Sequence, residues 1–303
     1  MFENLNRQFE TVNFPSLGAF YKNKDPFVYV QLLTYMEELL LINPSFTTDI
    51  CILTEVLKRL VISDFDVSTL LSCDVFALSS TVYAYSFGDK HTIEVECTHC
   101  HKTDKEYSFN ISDFQAKDFD VSLINENGEI LVPKNQCGHD ILIKPRTFIE
   151  DFNYKQQNTK NKETAQVAYN IVSFDGETDV EVISKKLSSM RIVHFRTLKA
   201  AIQNSMPGVE SWTNFECPSC GNTTRMDFGT NIFFLKMQES HITNMREEIF
   251  LLNRHGKTVT IEDAKKLTIS ERRWYIDRIR KANEEQSKAE EAAMSKAKSR
   301  KGK

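Results

Sequence analysis

Two short stretches of this 303-residue chain could do metal chemistry. "VECTHCHK" carries Cys97 and Cys100, "FECPSCGN" carries Cys217 and Cys220, and 116 residues lie between the two pairs. A C-x-x-C at a hairpin turn aims two thiolates at one point. Two such turns facing each other supply four sulfurs in a tetrahedron, with Zn–S near ~2.3 Å. Gly221, directly after the second pair, suits a tight knuckle whose backbone N–H groups point at sulfur. Four thiolates close the shell and leave no position for water, so the expected Zn2+ is structural rather than catalytic. The long gap makes the bulk of the middle region an insertion between two knuckles.

Other readings of these residues stay open. A redox dithiol needs a thioredoxin-like βαβ setting, which neither pair has, and each pair is also readable as a local turn without metal. His99, His101 and His139 are spare ligands beside four thiols that already fill a shell. Cys51 on an apolar helical face and Cys73 beside a turn read as small buried hydrophobes, and Cys137 in "NQCGHD" as a turn cysteine. No Gly-rich phosphate cradle, G-x-S-x-G elbow or H-E-x-x-H occurs, so no enzyme and no small-molecule substrate are expected.

Charge narrows the partners. The 38 basic and 42 acidic residues leave a net charge near −4, a poor balance for neutralising many phosphates. "ERRW" concentrates Arg272, Arg273 and Trp274, which could grip nucleic acid by charge and stacking. The favoured reading is packing, with Trp274, Tyr275, Ile276 and Ile279 as an apolar helical stripe. The longest apolar run, "FVYVQLLTYMEELLLI" (27–42), is interrupted by Glu37 and Glu38, so no membrane span is expected. The acidic N-terminus lacks a signal-peptide core, which predicts a protein made and kept in a cytoplasm. An odd count of seven cysteines then favours metal or free thiols over disulfides.

The elements that must position these residues give an α+β chain: helical N- and C-terminal segments around a small zinc-ribbon-like β unit. Residues 1–26 read as an extended arm in which Phe14, Phe20 and Tyr21 are anchors for a partner. Residues 27–90 read as helical, with a Thr34/Glu37 capping box, Thr47 or Thr48 capping a second helix, Asp74 capping a third and Gly88 stopping it. Period-two stretches at 91–110 and 211–235 make the two hairpins of a unit over 91–235, with a mixed insertion at 111–210. Within it, "FDVSLI", "GEILVP" and "DILIKP" suggest strands, and Thr147/Glu150 a capped helix. Residues 236–280 read as helices, with capping boxes at Thr260/Asp263 and Thr268/Glu271. Residues 281–303 hold almost nothing apolar beyond Ala and read as a frayed helix entering a disordered basic tail.

Several stretches in order carry a resemblance. They are "FPSLGAFY", the "VECTHCHK" hairpin after "YAYSFG", "IVSFDG", "KAAIQNSMPGVESWTNFECPSCGNTTRMDF", and "EEIFLLNRHGKTVTIEDAKKLTISERRWYIDRI". Over residues 13–280 the chain resembles the baseplate hub proteins of contractile-tailed bacteriophages. The resemblance implies a structural virion component of the tail, assembled in the host cytoplasm and contacting other baseplate and hub proteins, the tail tube or the spike. It gives Cys97, Cys100, Cys217 and Cys220 the metal-knuckle role, with "CTHC" lacking the proline of the commoner form, and matches Phe14, Pro15, Gly18 and Tyr21 to the family's arm. A tail-assembly chaperone and a zinc-ribbon nucleic-acid binder remain the alternatives.

Overall fold

In the computed structural model, which describes residues 9–157, 163–228, 240–256 and 259–301, strand β1 (Phe9–Asn13) pairs antiparallel with β2 (Phe27–Gln31). Val12, Val28 and Val30 turn inward while Phe9, Phe27 and Tyr29 face solvent, the period of a half-buried ribbon. This corrects the expected arm and the helical start at residue 27. Residues 9–31 fold back onto the chain's own helices, and residues 1–8 lie outside the described residues. The strand was hidden because its alternation runs straight into the Leu-rich opening of the first helix.

Three helices follow: α1 (Tyr35–Ile42), α2 (Ile50–Leu60) and α3 (Ser72–Phe87). The Thr34/Glu37 box caps α1 as expected, and Gly88 ends α3 at a positive φ of 103°. Asp49, not Thr47 or Thr48, caps α2, accepting the Cys51 N–H at 2.8 Å. Cys51 is exposed, a correction: it lies off the stripe of Leu53, Val56, Leu57 and Leu60 that α2 buries. Cys73 is buried.

Asp74 does not cap α3, which already begins at Ser72. It sits buried in the first turn and holds the loop between β1 and β2. Its carboxylate accepts the Ser16 N–H (3.1 Å), the Ser16 hydroxyl (2.6 Å) and the Tyr21 hydroxyl. Burial pushes both the Asp74 carboxyl and the Tyr21 phenol up, which favours the protonated forms of this cluster. Gly18, at φ 71°, has a specific duty here: a Cβ would stand 2.3 Å from the Asp25 carbonyl oxygen. Phe14 and Tyr21 pack edge-on at 5.3 Å inside this core, so neither is the partner anchor expected of it.

Past α3, β3 (Lys90–Glu96) and β4 (Thr103–Asn110) form the first hairpin. The insertion then holds β5 (Gln115–Ala116), β6 (Ile130–Val132), α4 (Lys134–Cys137), β7 (Ile141–Ile143), α5 (Phe148–Gln157), α6 (Glu163–Asn170), β8 (Ile171–Phe174), α7 (Val180–Ser189), α8 (Ile192–Ser205) and β9 (Val209–Glu210). It leaves and returns through one narrow stalk, β5 against β9, with Lys117 N–H bonded to the Gly208 carbonyl at 2.9 Å. The three-stranded sheet β6-β7-β8 and helices α6 to α8 bury a second core, including Ile130, Ile141, Ile171, Leu187 and Leu198. "FDVSLI" is a 3-10 turn rather than a strand, because the Asp120 carboxylate captures the Ser122 N–H. The Thr147/Glu150 box opens α5 as predicted. Phe148 then reaches into the first core, and Phe20 packs on both cores, its ring 5.9 Å from Phe119.

The second hairpin, β10 (Trp212–Glu216) with β11 (Thr223–Asp227), precedes α9 (Ser240–His255), α10 (Ile261–Lys266) and α11 (Ile269–Lys301). The "IFF" stretch lies outside the described residues. Thr260/Asp263 and Thr268/Glu271 cap α10 and α11 as predicted. Arg272 is buried completely, reaching Glu38 of α1, Glu248 of α9 at 3.0 Å and the Leu267 carbonyl at 3.1 Å, with His241 on the far oxygen of Glu38 at 2.8 Å. Arg272 is therefore an internal strut rather than a partner contact. The expected frayed tail is also corrected: α11 continues to Lys301, since Ala, Glu and Lys favour helix even where nothing is buried. No described helix is long and apolar enough to cross a membrane.

Candidate metal centre

The two hairpins meet tip to tip. Cys97 Sγ lies 3.8 Å from Cys220 Sγ and Cys100 Sγ 3.6 Å from Cys217 Sγ, and all four sulfurs fall within 4.8 Å of one another. Metal–sulfur bonds of ~2.3 Å in a tetrahedron require sulfur–sulfur edges of about 3.8 Å. A disulfide would need about 2.05 Å. The spacing therefore fits four thiolates around one divalent ion and does not fit two disulfides. Among the described residues this is the one group of three or more His, Cys, Asp or Glu side chains placed to hold a metal.

Each knuckle is built the same way. The Cys97 N–H donates to the Lys102 carbonyl and the His101 N–H to the Cys97 carbonyl, both at 2.9 Å. The Cys217 N–H donates to the Asn222 carbonyl at 3.0 Å and the Gly221 N–H to the Cys217 carbonyl at 2.8 Å. The residue after the second cysteine takes a left-handed conformation in both, Gly221 at φ 68° and His101 at φ 57°. That turn frees the amides that face sulfur: His99 N–H to Cys97 at 3.4 Å, and the Asn222 side-chain amide to Cys220 at 3.5 Å. His101 is thus a knuckle residue rather than a ligand, its ring 3.1 Å from the Glu96 carboxylate. Aligning the two motifs would have found it, because His101 and Gly221 hold the same place.

The electrostatics pull Cys97, Cys100 and Cys220 in different directions. Backbone and side-chain amides of Asn222 hold the Cys220 thiol down to about 6, and the N–H groups of Cys100 and His99 lower Cys97. Although the Lys102 N–H favours its thiolate, desolvation and the three neighbouring cysteines push Cys100 up to about 11. A divalent cation removes that conflict by neutralising clustered thiolates.

Behind the sulfurs the packing is thin. Val95, Cys97, Phe215 and Cys217 are buried, and Tyr107 packs edge-on against Phe215 at 5.2 Å. The Tyr107 hydroxyl crosses between the hairpins to Thr213 Oγ1 (2.9 Å) and the Asn214 carbonyl (2.8 Å). Nothing in the sequence beyond strand alternation marked Tyr107 for this bridge.

The remaining singled-out residues lie elsewhere. Cys137 ends α4 with its sulfur against backbone carbonyls, while His139 pairs with Asp175 at 2.8 Å, so neither joins the cluster. Phe20 is half-buried between the two cores. Arg273 is exposed with its guanidinium over the Phe87 ring, and Trp274 is 59% exposed beside Tyr275. The expected apolar stripe is split accordingly, since only Ile276 and Ile279 pack inward. No curated protein and no solved structure matches the chain. A family model described as T4 bacteriophage base plate protein matches residues 22–236, a span containing both knuckles and the whole insertion, and the chain belongs to that phage baseplate family.

Proposed function

We propose that this chain is a structural subunit of the tail baseplate hub, that it acts through protein–protein contacts in tail assembly and infection, and that Cys97, Cys100, Cys217 and Cys220 hold a structural Zn2+. Family membership over residues 22–236 carries the baseplate role. The sulfur edges of 3.6 and 3.8 Å support the ion. An all-thiolate shell suits zinc, and a closed shell gives the ion a folding duty rather than a catalytic one. It ties together two hairpins that are distant in sequence, so the insertion is anchored at both ends. Trp274, with Arg273 and Tyr275 beside it, is the exposed aromatic point at which a neighbouring tail protein would dock.

Two measurements test this reading. Purified protein should contain about one zinc per chain, and mass spectrometry of purified virions should find the chain among the tail proteins. Its absence from virions, with abundance in infected-cell lysate, would reassign it as an assembly factor. A metal-free folded protein would remove the zinc.

A further inference from the structure

The ribbon of β1 and β2 has two outer margins, and they differ. The Phe14 N–H donates to the Pro26 carbonyl at 2.8 Å, and the register runs unbroken from Asn13↔Phe27 to Phe9↔Gln31. Hydrogen bonds alternate along an antiparallel pair, so Glu10 and Val12 address β2, while the N–H and C=O groups of Phe9, Thr11 and Asn13 point away from it. On the margin of β2 the equivalent groups are answered. The Tyr29 carbonyl accepts the Ile62 N–H at 3.0 Å, and the Tyr29 N–H donates to Ser63 Oγ at 2.8 Å. On the margin of β1, among the described residues, no hydrogen bond reaches the outward main-chain groups of Phe9, Thr11 and Asn13. All three residues are exposed.

An open margin of this kind is a template for another strand, and proteins blunt it with charge, proline or a bulge. β3 carries Lys90, Glu94 and Glu96 and a register shift, and β11 carries Arg225 and Asp227. β1 has no proline, no bulge and one charge, Glu10, which lies on the face it shares with buried Val12. Its solvent face is aromatic instead. Tyr29 packs edge-on against Phe9 at 5.6 Å and against Phe27 at 5.5 Å.

The strand's own sequence fits this margin. Set antiparallel to a second β1 about a two-fold axis through Thr11, Phe9 of each copy stands opposite Asn13 of the other, and Thr11 opposite Thr11. These are the three positions with open groups, so about six hydrogen bonds form at once. Glu10 meets Val12 rather than another Glu10, so no like charges face each other, and part of each exposed Phe9 is covered. That self-complementary register singles out a second copy over a foreign strand. We propose that the open margin of β1 is a self-association site, at which β1 of a second copy of this chain adds antiparallel about a two-fold axis through Thr11 to give a closed dimer. The site is separate from the sulfur cluster and from Trp274.

The test is sedimentation velocity of the full chain over a concentration series. The expected result is a reversible monomer–dimer equilibrium with a dissociation constant of ~10–100 µM, as suits an interface below ~1,200 Å². Thr11→Pro removes an N–H that β2 does not use, which an edge strand tolerates, and should weaken association at least ~10-fold with little change in melting temperature. Thr11→Glu and Thr11→Lys alter only an exposed side chain. Each alone should dimerise ~3-fold less tightly, and their equimolar mixture should recover the wild-type level, because the axis sets residue 11 against itself. A chain that stays monomeric at ~0.5 mM, open-ended assemblies, a dimer indifferent to Thr11→Pro, or Glu and Lys variants that do not complement each other would overturn the assignment. Should Thr11→Pro fail to fold, the Glu and Lys mixture decides alone. None of these results bears on zinc content or on presence in virions.

Discussion

The N-terminal core and the cysteine unit solve the same problem by opposite means. Around α1, α2 and α3 at least 21 buried side chains form one contiguous apolar cluster, enough to hold the helices by burial alone. The two hairpins share four buried residues, two of them cysteines. A pair of two-stranded ribbons with so little apolar surface is marginal in water. The first region is thus held chiefly by burial, whereas the second has Phe109 and Phe228 packed toward Phe76 of α3 and otherwise leans on whatever joins its four sulfurs. The difference teaches where the chain is vulnerable, and it places that vulnerability at the foot of the insertion.

The sharpest break in this comparison is metal removal. Chelation or Cys217→Ser should withdraw binding free energy on the order of 10 kcal/mol from the hairpins. Hydrogen exchange should then show β3, β4, β10 and β11 losing protection while α2 and α3 keep theirs. Simultaneous loss in both regions would mean that the N-terminal core is not autonomous.

The converse perturbation is smaller. Leu57→Ala empties a fully buried position of α2 and should lower global stability by about 2–5 kcal/mol, measured by denaturant unfolding. Zinc stoichiometry in the folded variant should stay at the wild-type value, and its loss would show that the two regions fold as one.

The finest probe compares the knuckles with each other. His101→Gly should relieve the left-handed backbone that Gly221 adopts freely, stabilising the metal-bound form by ~1 kcal/mol. Competition against a chelator of known affinity would detect this, and weaker metal binding in the variant would show that the His101 ring matters more than its backbone.

Legibility followed locality. Four Thr-x-x-Glu or Thr-x-x-Asp boxes, the stop at Gly88 and both hairpins were read correctly because each is decided within a few residues. The errors share one cause. Phe14, Tyr21 and Arg272 look like surface residues in a linear reading, and each is buried by a group far along the chain: Asp74 for Tyr21, Phe65 for Phe14, and Glu38 for Arg272. The strand at Phe27–Gln31 was missed for a related reason, because its partner lies across a loop whose shape Asp74 sets.

The sequence by itself determined the two C-x-x-C pairs, the knuckle spacing, the capped helix starts and the mixed class, since those depend on residue type and short-range geometry. Only the tertiary structure decided that the sulfurs converge, that the N-terminal segment belongs to the chain's own core and that the insertion returns through the β5–β9 stalk while Phe148 docks it on the first core. Such facts are set by contacts between groups 50 to 234 positions apart, such as Tyr21 with Leu71 and Glu38 with Arg272. No local pattern encodes which distant group will neutralise a buried charge or share a core.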